Sequence, residues 1–253
     1  MLLAIDIGNT NAVFGIHNGQ QWVRQWRVQT VRERMPDEYA VLFRDLLGEA
    51  DMNFEDFDRV GISSVVPQLT GGLKRMFAER TGEEPFVLSH RADSGIELRV
   101  DHPEKVGADL IADAMAAYTR LQSNCIVVDF GTATTVSAVA EPGVLLGTAI
   151  AAGLIVTRNA LVEQTAQLPQ IDLEVPECVI GKNTVHSMQA GLVMGHLCMV
   201  EGLVARMKKE IGGDVRVIAT GGLSQVIAPH TDCFDEVDLW LTLEGLRLIT
   251  ERN

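Results

Sequence analysis

Positive charge is scarce in this chain: 21 Lys and Arg stand against 34 Asp and Glu, for a net charge of −13 at pH 7 and an isoelectric point near 4.8. That balance opposes a non-specific grip on nucleic acid or on an anionic membrane, and it excludes DNA binding as the expected role. An anionic ligand has to be met by a locally concentrated cationic or dipolar site. Cysteine is also sparse, and Cys125, Cys178, Cys198 and Cys233 form no CxxC pair and no Cys/His ligand spacing. They read as reduced thiols of a cytosolic protein. The N-terminus lacks a basic leader, and Asp6 interrupts its apolar run. The uncharged run Pro142–Thr157 is too short and too broken by glycine for a spanning helix, so no membrane segment is expected. A Walker A loop is missing too: Ile180-Gly-Lys-Asn-Thr184 has the look of one, but Pro176 stands where the first glycine is required.

What remains is an ordinary globular composition, 47% hydrophobic and 22% charged over 253 residues. That length is comfortable for two lobes of about 120 residues each. The most informative stretch is Leu3-Ala-Ile-Asp-Ile-Gly-Asn-Thr10, a buried-strand pattern that stops at Asp6 and turns through Gly8, Asn9 and Thr10. Gly8 lets the backbone approach a ligand, and Asn9 and Thr10 add side-chain donors to the turn N–H groups, which suits phosphate oxygens. A carboxylate repels phosphate unless a cation intervenes, so Asp6 reads as a residue on the Mg²⁺ side. A plain Asp/Gly/Asn hairpin is the alternative.

A second copy favours the phosphate reading. Cys125 to Val139 lays over Leu2 to Ile16 without a gap, with Asp129 on Asp6, Gly131 on Gly8, Val136 on Val13 and Val139 on Ile16. The repeat implies lobes at 1–121 and 122–253.

Between and after the copies the chain alternates strand and helix patterns, as in an α/β lobe with a mixed sheet. Strands are expected at Gln21–Thr30, Arg59–Val66 and Pro85–Ser89, with helices opened by Pro36 and by Pro67. His102–Tyr118 reads as a helix with a buried stripe of Val106, Leu110 or Ile111, Ala114, Met115 and Tyr118. Asp109 near its start follows the small Gly107 and Ala108, so a ligand can come close to that carboxylate. Asp113 lies one turn on. Two solvated acids near a helix N-terminus are the plainer interpretation of this pair. Gly147–Gly153 reads as a strand running into a small-residue turn, and a helix leads on to Thr165-Ala-Gln-Leu-Pro169. Ser187–Lys209 carries apolar residues on more than one face, which predicts burial both within a lobe and against a partner subunit. Its methionines read as core filler. Val215–Ser224 repeats the strand-into-glycine pattern, and Gly221 and Gly222 offer room for a nucleotide base or ribose, or form a simple strand-to-helix turn.

Two acid-led strand-turn-strand loops followed by a Thr-Gly-Gly turn resemble the superfamily of actin, hexokinase, acetate kinase and the heat-shock chaperone ATPases. Within it, Asp6-x-Gly-Asn-Thr10, Ser64-Val-Val-Pro67, Val106-Gly-Ala-Asp109, Asp129-x-Gly-Thr-Ala-Thr134, Thr165-Ala-x-Leu-Pro169, Ile180-Gly-Lys-Asn-Thr184 and Thr220-Gly-Gly222 resemble type III pantothenate kinases, in order and over nearly the whole chain. The resemblance implies two similar ribonuclease H-like lobes of the actin-like ATPase fold, with mixed sheets and an interlobe cleft. It implies a cytoplasmic homodimer that phosphorylates pantothenate from ATP, the first step towards coenzyme A, with Mg²⁺ and a monovalent cation, K⁺ or NH₄⁺. By the motif match Asp6, Ile7, Gly8, Asn9, Thr10, Asn11, Ala12, Val13 and Thr132 hold ATP, and Asp129 binds the monovalent metal ion, whereas its place over Asp6 in the repeat reads it as an Mg²⁺ partner. Gly107, Ala108, Asp109, Leu110 and Thr184 line the pantothenate site, and Asp109 is the catalytic proton acceptor.

The chain departs from the family pattern on the acceptor side. Leu110 replaces the usual Arg and loses its forked grip on an anionic substrate. Val100 stands where Tyr is frequent, Thr148 where a second Gly is usual, and Ala152-Gly153 where Pro-Gly is usual. A catalytically impaired nucleotide-binding or regulatory paralogue, or a kinase for another small alcohol, is therefore the alternative.

Overall fold

A computed structural model describes residues 1–253. In chain order the strands and helices begin with β1 (Leu2–Ile7), β2 (Asn11–His17), β3 (Trp22–Gln29), α1 (Pro36–Gly48), β4 (Arg59–Ser64), α2 (Pro67–Thr81), β5 (Phe86–Val87) and β6 (Glu97–Leu98). After α3 (Ala108–Leu121) come β7 (Cys125–Phe130), β8 (Ala133–Ala140), β9 (Val144–Ala152), α4 (Leu154–Glu163), α5 (Thr184–Gln189) and α6 (Gly195–Ile211). The chain closes with β10 (Arg216–Thr220), α7 (Ser224–Ile227), β11 (Glu236–Val237) and α8 (Leu241–Arg252).

Two compact units result. The first comprises Met1–Glu97, Asp101–Ala116 and Leu241–Asn253; the second comprises Leu98–Val100 and Ala117–Trp240. They do not follow a single cut at 121/122, because α8 returns to the first unit. The reason is steric fit. A Cβ on Gly245 of α8 would overlap the Ala112 carbonyl of α3, and a Cβ on Gly61 of β4 would overlap Thr250 of α8. Only glycine permits such close approach.

In the first unit the sheet order is β3-β2-β1-β4-β5. β1 is central, antiparallel to β2 and parallel to β4, which explains why it is an almost unbroken apolar run. Phe14, Phe43, Phe54 and Phe77 pack beneath it, Phe14 and Phe43 with ring centroids 4.9 Å apart. Such a pair contributes about 0.5–1.5 kcal/mol beyond its buried area. Pro67 opens α2 at its first turn, and Gly82, at φ 77°, ends it in the left-handed region.

The second unit repeats the topology. Its sheet order is β11-β10-β7-β8-β9-β6, with β7 parallel to β10 and antiparallel to β8. The duplication read from sequence is thus a duplication of architecture. It is not gapless, however. Asp6 pairs with Val13 but Asp129 pairs with Thr135, so the second hairpin turn is one residue shorter. Because strand side chains alternate faces, Thr135 rather than Val136 shares the face of the loop acid.

Two further expectations change. In α3 every residue from Ile111 to Ala117 is buried, rather than one stripe. The helical run Thr184–Ile211 is long and apolar enough to cross a membrane, against the expectation that no stretch is. Val193, Leu197, Val200 and Val204 bury one of its faces in the core of the second unit, as a core helix does. Its turn at Ala190–Met194 is π-helical. The opposite face, with Gly191, Gly195, Cys198 and Gly202, is exposed, so within this chain the run is covered on one side only.

Candidate active site

In the first unit three chain segments converge on one rim of the sheet. β1 ends at Ile7, and the turn Gly8–Thr10 closes with the Gly8 N–H donating to the Asn11 carbonyl at 3.0 Å. Next to it the chain leaves β4, and the Val65 N–H donates to the Ile7 carbonyl at 3.1 Å. The start of α3 lies against the same place, since a Cβ on Gly107 would stand 3.6 Å from Val65 Cγ1. Asp6 and Asp109 therefore belong to one local assembly, although they are far apart in sequence.

Each acid is held from behind. Ser63, paired in parallel register with Asp6 and fully buried, donates through Oγ to Asp6 Oδ1 at 2.9 Å. Asp109 is half-buried, and its Oδ1 accepts the Leu110 N–H at 2.8 Å. A Cβ on Gly107 would collide with that carboxylate oxygen and turn it out of this position. Burial pushes the Asp109 carboxyl above the usual carboxylate range, opposed by the backbone N–H groups of Leu110 and of Asp109 itself. A carboxylate whose proton affinity is raised is a better proton acceptor near neutral pH. Asp113, by contrast, is 1% exposed and accepts from Thr242 Oγ1 at 2.7 Å. The solvated-acid interpretation fails for it: its burial ties α3 to α8.

The first turn is strapped by residues that sequence reading did not single out. Thr30 donates through Oγ1 to the Gly8 carbonyl at 2.8 Å and through its N–H to the Thr10 carbonyl at 2.9 Å. Arg32 Nη2 donates to Asn9 Oδ1 at 2.9 Å. The guanidinium supplies the local positive charge that the acidic composition demanded. A Thr followed two residues later by Arg, just past the third strand, was the available signal.

In the second unit Asp129, next to last in β7, lies beside three glycines. A Cβ on Gly131 would lie 3.4 Å from Asp129 Oδ2, one on Gly153 would collide with the Gly131 and Thr132 carbonyls, and one on Gly221 would collide with Asp129 Oδ1. Gly221 has φ 86°, which a side chain disfavours. Behind this loop, Thr134 Oγ1 and His196 Nε2 are 2.9 Å apart and both residues are buried. Burial lowers the His196 pKa, which favours the neutral ring. Thr132 lies in the two-residue turn, and its carbonyl accepts the Gly153 N–H at 3.1 Å. Thr184, also in the second unit, is the first residue of α5; Asn183 caps that helix, its Oδ1 accepting the His186 N–H at 2.9 Å.

The donor chemistry at both acids is oxygen: carboxylates flanked by backbone carbonyls and hydroxyls. This set fits hard cations such as Mg²⁺ or K⁺ and not a thiolate- or imidazole-seeking metal. No three His, Cys, Asp or Glu side chains form a metal-holding group.

Comparison with known proteins decides the lineage. The sequence model of the type III pantothenate kinase family matches residues 2–206. The type III pantothenate kinase of Geotalea uraniireducens is 45% identical over 253 residues, covering 100% of this chain and 99% of that protein. The chain belongs to the type III pantothenate kinase family. The family member from Moorella thermoacetica is 44% identical over 253 residues, covering 100% of both chains. Among solved structures, a protein described as a Baf family transcriptional activator from Campylobacter jejuni superposes with a TM-score of 0.61 at 18% identity, covering 99% of this chain and 98% of that one. The activator of 2-hydroxyisocaproyl-CoA dehydratase from Clostridium difficile, solved with bound ADPNP, gives a TM-score of 0.52 at 13% identity, covering 99% of this chain and 93% of that one. At these identities the structural likeness establishes the fold alone, the actin-like ATPase fold.

Within the family's motif set, the turn Gly8–Thr10, the Ser64–Pro67 segment and Gly107–Asp109 fall together in the first unit. Asp129–Thr134, Thr184 and Thr220–Gly222 fall in the second. Leu110 is half-buried directly after the acid. It brings no charge to the head of α3.

Proposed function

We propose that this pantothenate kinase family member moves the γ-phosphoryl group of ATP to the primary alcohol of pantothenate, giving 4'-phosphopantothenate, the first intermediate of coenzyme A synthesis. The observation that carries this reading is the local assembly of the first unit: the Gly8–Thr10 turn, Asp6 and a half-buried Asp109 of raised proton affinity on one rim.

Phosphoryl transfer passes through a loose transition state in which the protein mainly positions groups and neutralises charge. In this chain the backbone of the turn beyond the Gly8 N–H, which is committed to Asn11, and the side chains of Asn9 and Thr10 receive phosphate oxygens, with Ile7, Asn11, Ala12 and Val13 shaping the hairpin around them. Arg32 orients the Asn9 amide. Thr132 receives the nucleotide from the second loop. Asp109 takes the proton of the pantothenate hydroxyl as that oxygen attacks phosphorus, and Gly107 and Ala108 leave room for the approach. Asp6 would hold Mg²⁺, directly or through water, and Asp129 the monovalent cation; when bound, these ions neutralise charge developing on the phosphates. Leu110 and Thr184 line the acceptor site, where Leu110 removes the forked cationic grip and leaves an apolar contact.

The small, exposed face of the α5–α6 run borders a groove of about 500 Å³ lined by Val179, Ala190 and Cys198, and Ile180 beside it is 82% exposed. That face supports a homodimer, with the enzyme working in the cytoplasm. Leu110 favours one second reading, a nucleotide-binding relative with impaired transfer. Incubation with ATP, Mg²⁺, K⁺ and pantothenate separates the two: phosphopantothenate formed well above an Asp109→Ala control supports the kinase, and none above that control supports the impaired relative.

A further inference from the structure

β4 obeys the apolar rule of a central strand until Ser63: Val60, Gly61 and Ile62 are buried without polar side chains, and then a hydroxyl appears at 0% exposure. A buried hydroxyl without a partner costs about 1–3 kcal/mol, so its position is chosen by what it bonds. Its partner is Asp6 Oδ1, at 2.9 Å. The next residue works differently. Ser64 Oγ accepts the Val66 N–H at 3.1 Å and the Thr70 hydroxyl at 2.8 Å, which organises the start of α2.

We infer that Ser63 is a positioning residue of the phosphoryl-transfer site: its hydrogen bond sets the orientation of the Asp6 carboxylate towards the cation that accompanies the nucleotide phosphates. The inference rests on the kinase reading of the first loop. Residues paired in register stand on the same face of a sheet, so two rigid strands fix both ends of this contact. The arrangement recurs in the second unit, where Thr220 on β10 pairs in parallel register with Asp129 and is 1% exposed. A buried hydroxyl opposite the loop acid is thus a property of the duplicated design rather than an accident of one strand. Hydrogen-bond partners that orient a metal-side carboxylate alter metal affinity or activity by about 10–100-fold when removed.

The test compares wild type with Ser63→Ala and the nearly isosteric Ser63→Cys, reading thermal unfolding, kcat, KM for pantothenate, and ATP affinity with and without Mg²⁺. The expected result is a loss of about 10–100-fold in kcat and in the affinity gained on adding Mg²⁺, with metal-free ATP affinity and KM changed by no more than about twofold. Wild-type kcat and Mg²⁺ dependence in either folded variant would overturn the inference. So would a loss of ATP affinity of equal size with and without Mg²⁺, which marks a purely structural role. If Ser63→Ala does not fold, Ser63→Cys decides. Should wild type bind Mg²⁺-ATP yet leave pantothenate untouched, the substrate assignment fails while the nucleotide arm still decides the role of Ser63.

Discussion

Replacing Gly221 by Ala tests whether the second loop is built around a backbone contact that tolerates no side chain. The new Cβ would stand 2.6 Å from Phe130 N and 2.7 Å from Phe130 C, and it would collide with Asp129 Oδ1. Two of these atoms are backbone at the end of β7, so relief requires moving the strand end that presents Asp129. Holding an L-residue at φ 86° adds about 1–2 kcal/mol, and forcing extra volume into a packed position about 1–3 kcal/mol. Together the cost is about 2–5 kcal/mol. Urea unfolding of wild type, Gly221→Ala and Gly71→Ala measures it. Gly71 is an exposed residue of α2 with open space around it, and there alanine should stabilise by up to about 1 kcal/mol. Gly221→Ala should also weaken ATP binding by at least about tenfold, since a displacement near 1 Å can cost about 100-fold in a positioned site. A Gly221→Ala protein within about 0.5 kcal/mol of wild type, the range of neutral surface changes, and with unaltered ATP affinity would refute the reasoning.

Further expectations follow from the acids, histidines and thiols. Asp109→Asn should lower kcat by about 10²–10⁴-fold and yet stabilise the fold at neutral pH. Because the folded-state pKa of Asp109 is raised, its ionisation destabilises the protein above that pKa, and the gap between variant and wild type should close below about pH 4 in parallel melts. His196 and His17 both have lowered pKa values, chiefly from burial. Folded protein then binds fewer protons than unfolded chain, so stability falls as pH drops below about 6.5, and His196→Gln should flatten part of that slope in a series of thermal melts. The Cys125 thiol is fully buried with its pKa pushed up to about 12, whereas Cys178 is exposed. A disulfide reagent followed by peptide mapping should label Cys178 in the native protein and Cys125 only after unfolding.

The loops were legible because polar chemistry at a strand end has few explanations. An Asp that interrupts an apolar run, followed at once by glycine and hydroxyl or amide donors, marks a strand that ends in a tight turn, and both copies are indeed strand-turn-strand hairpins. The helix read over His102–Tyr118 begins only at Ala108, so Asp109 stands at its head rather than two turns in; Pro103–Lys105 forms a separate short turn before it. What sequence could not display depends on contacts between distant segments. The burial of Asp113 is set by Thr242, and the return of α8 to the first unit is set by Gly61 and Gly245, none of which a local pattern can signal. The one-residue difference between the two hairpins escaped because Thr134, Thr135 and Val136 are all acceptable strand residues; hydrogen-bond register, not composition, distinguishes them. Ser63 was passed over in favour of its neighbour Ser64, since two adjacent serines give no hint which one faces the acid. Thr30 was read only as the end of a strand, and Arg32 beyond it was not singled out.

The central claim is that Asp109 accepts a proton from pantothenate while the acid-led loops hold ATP. Transfer of label from [γ-³²P]ATP to pantothenate by wild type and by Asp109→Asn, with Mg²⁺ and K⁺ present, measures it most directly. Labelled phosphopantothenate should form with wild type and at least about 100-fold more slowly with the variant, the lower bound for loss of a general base. Equal rates for the two proteins, or label passing only to water, would contradict the account.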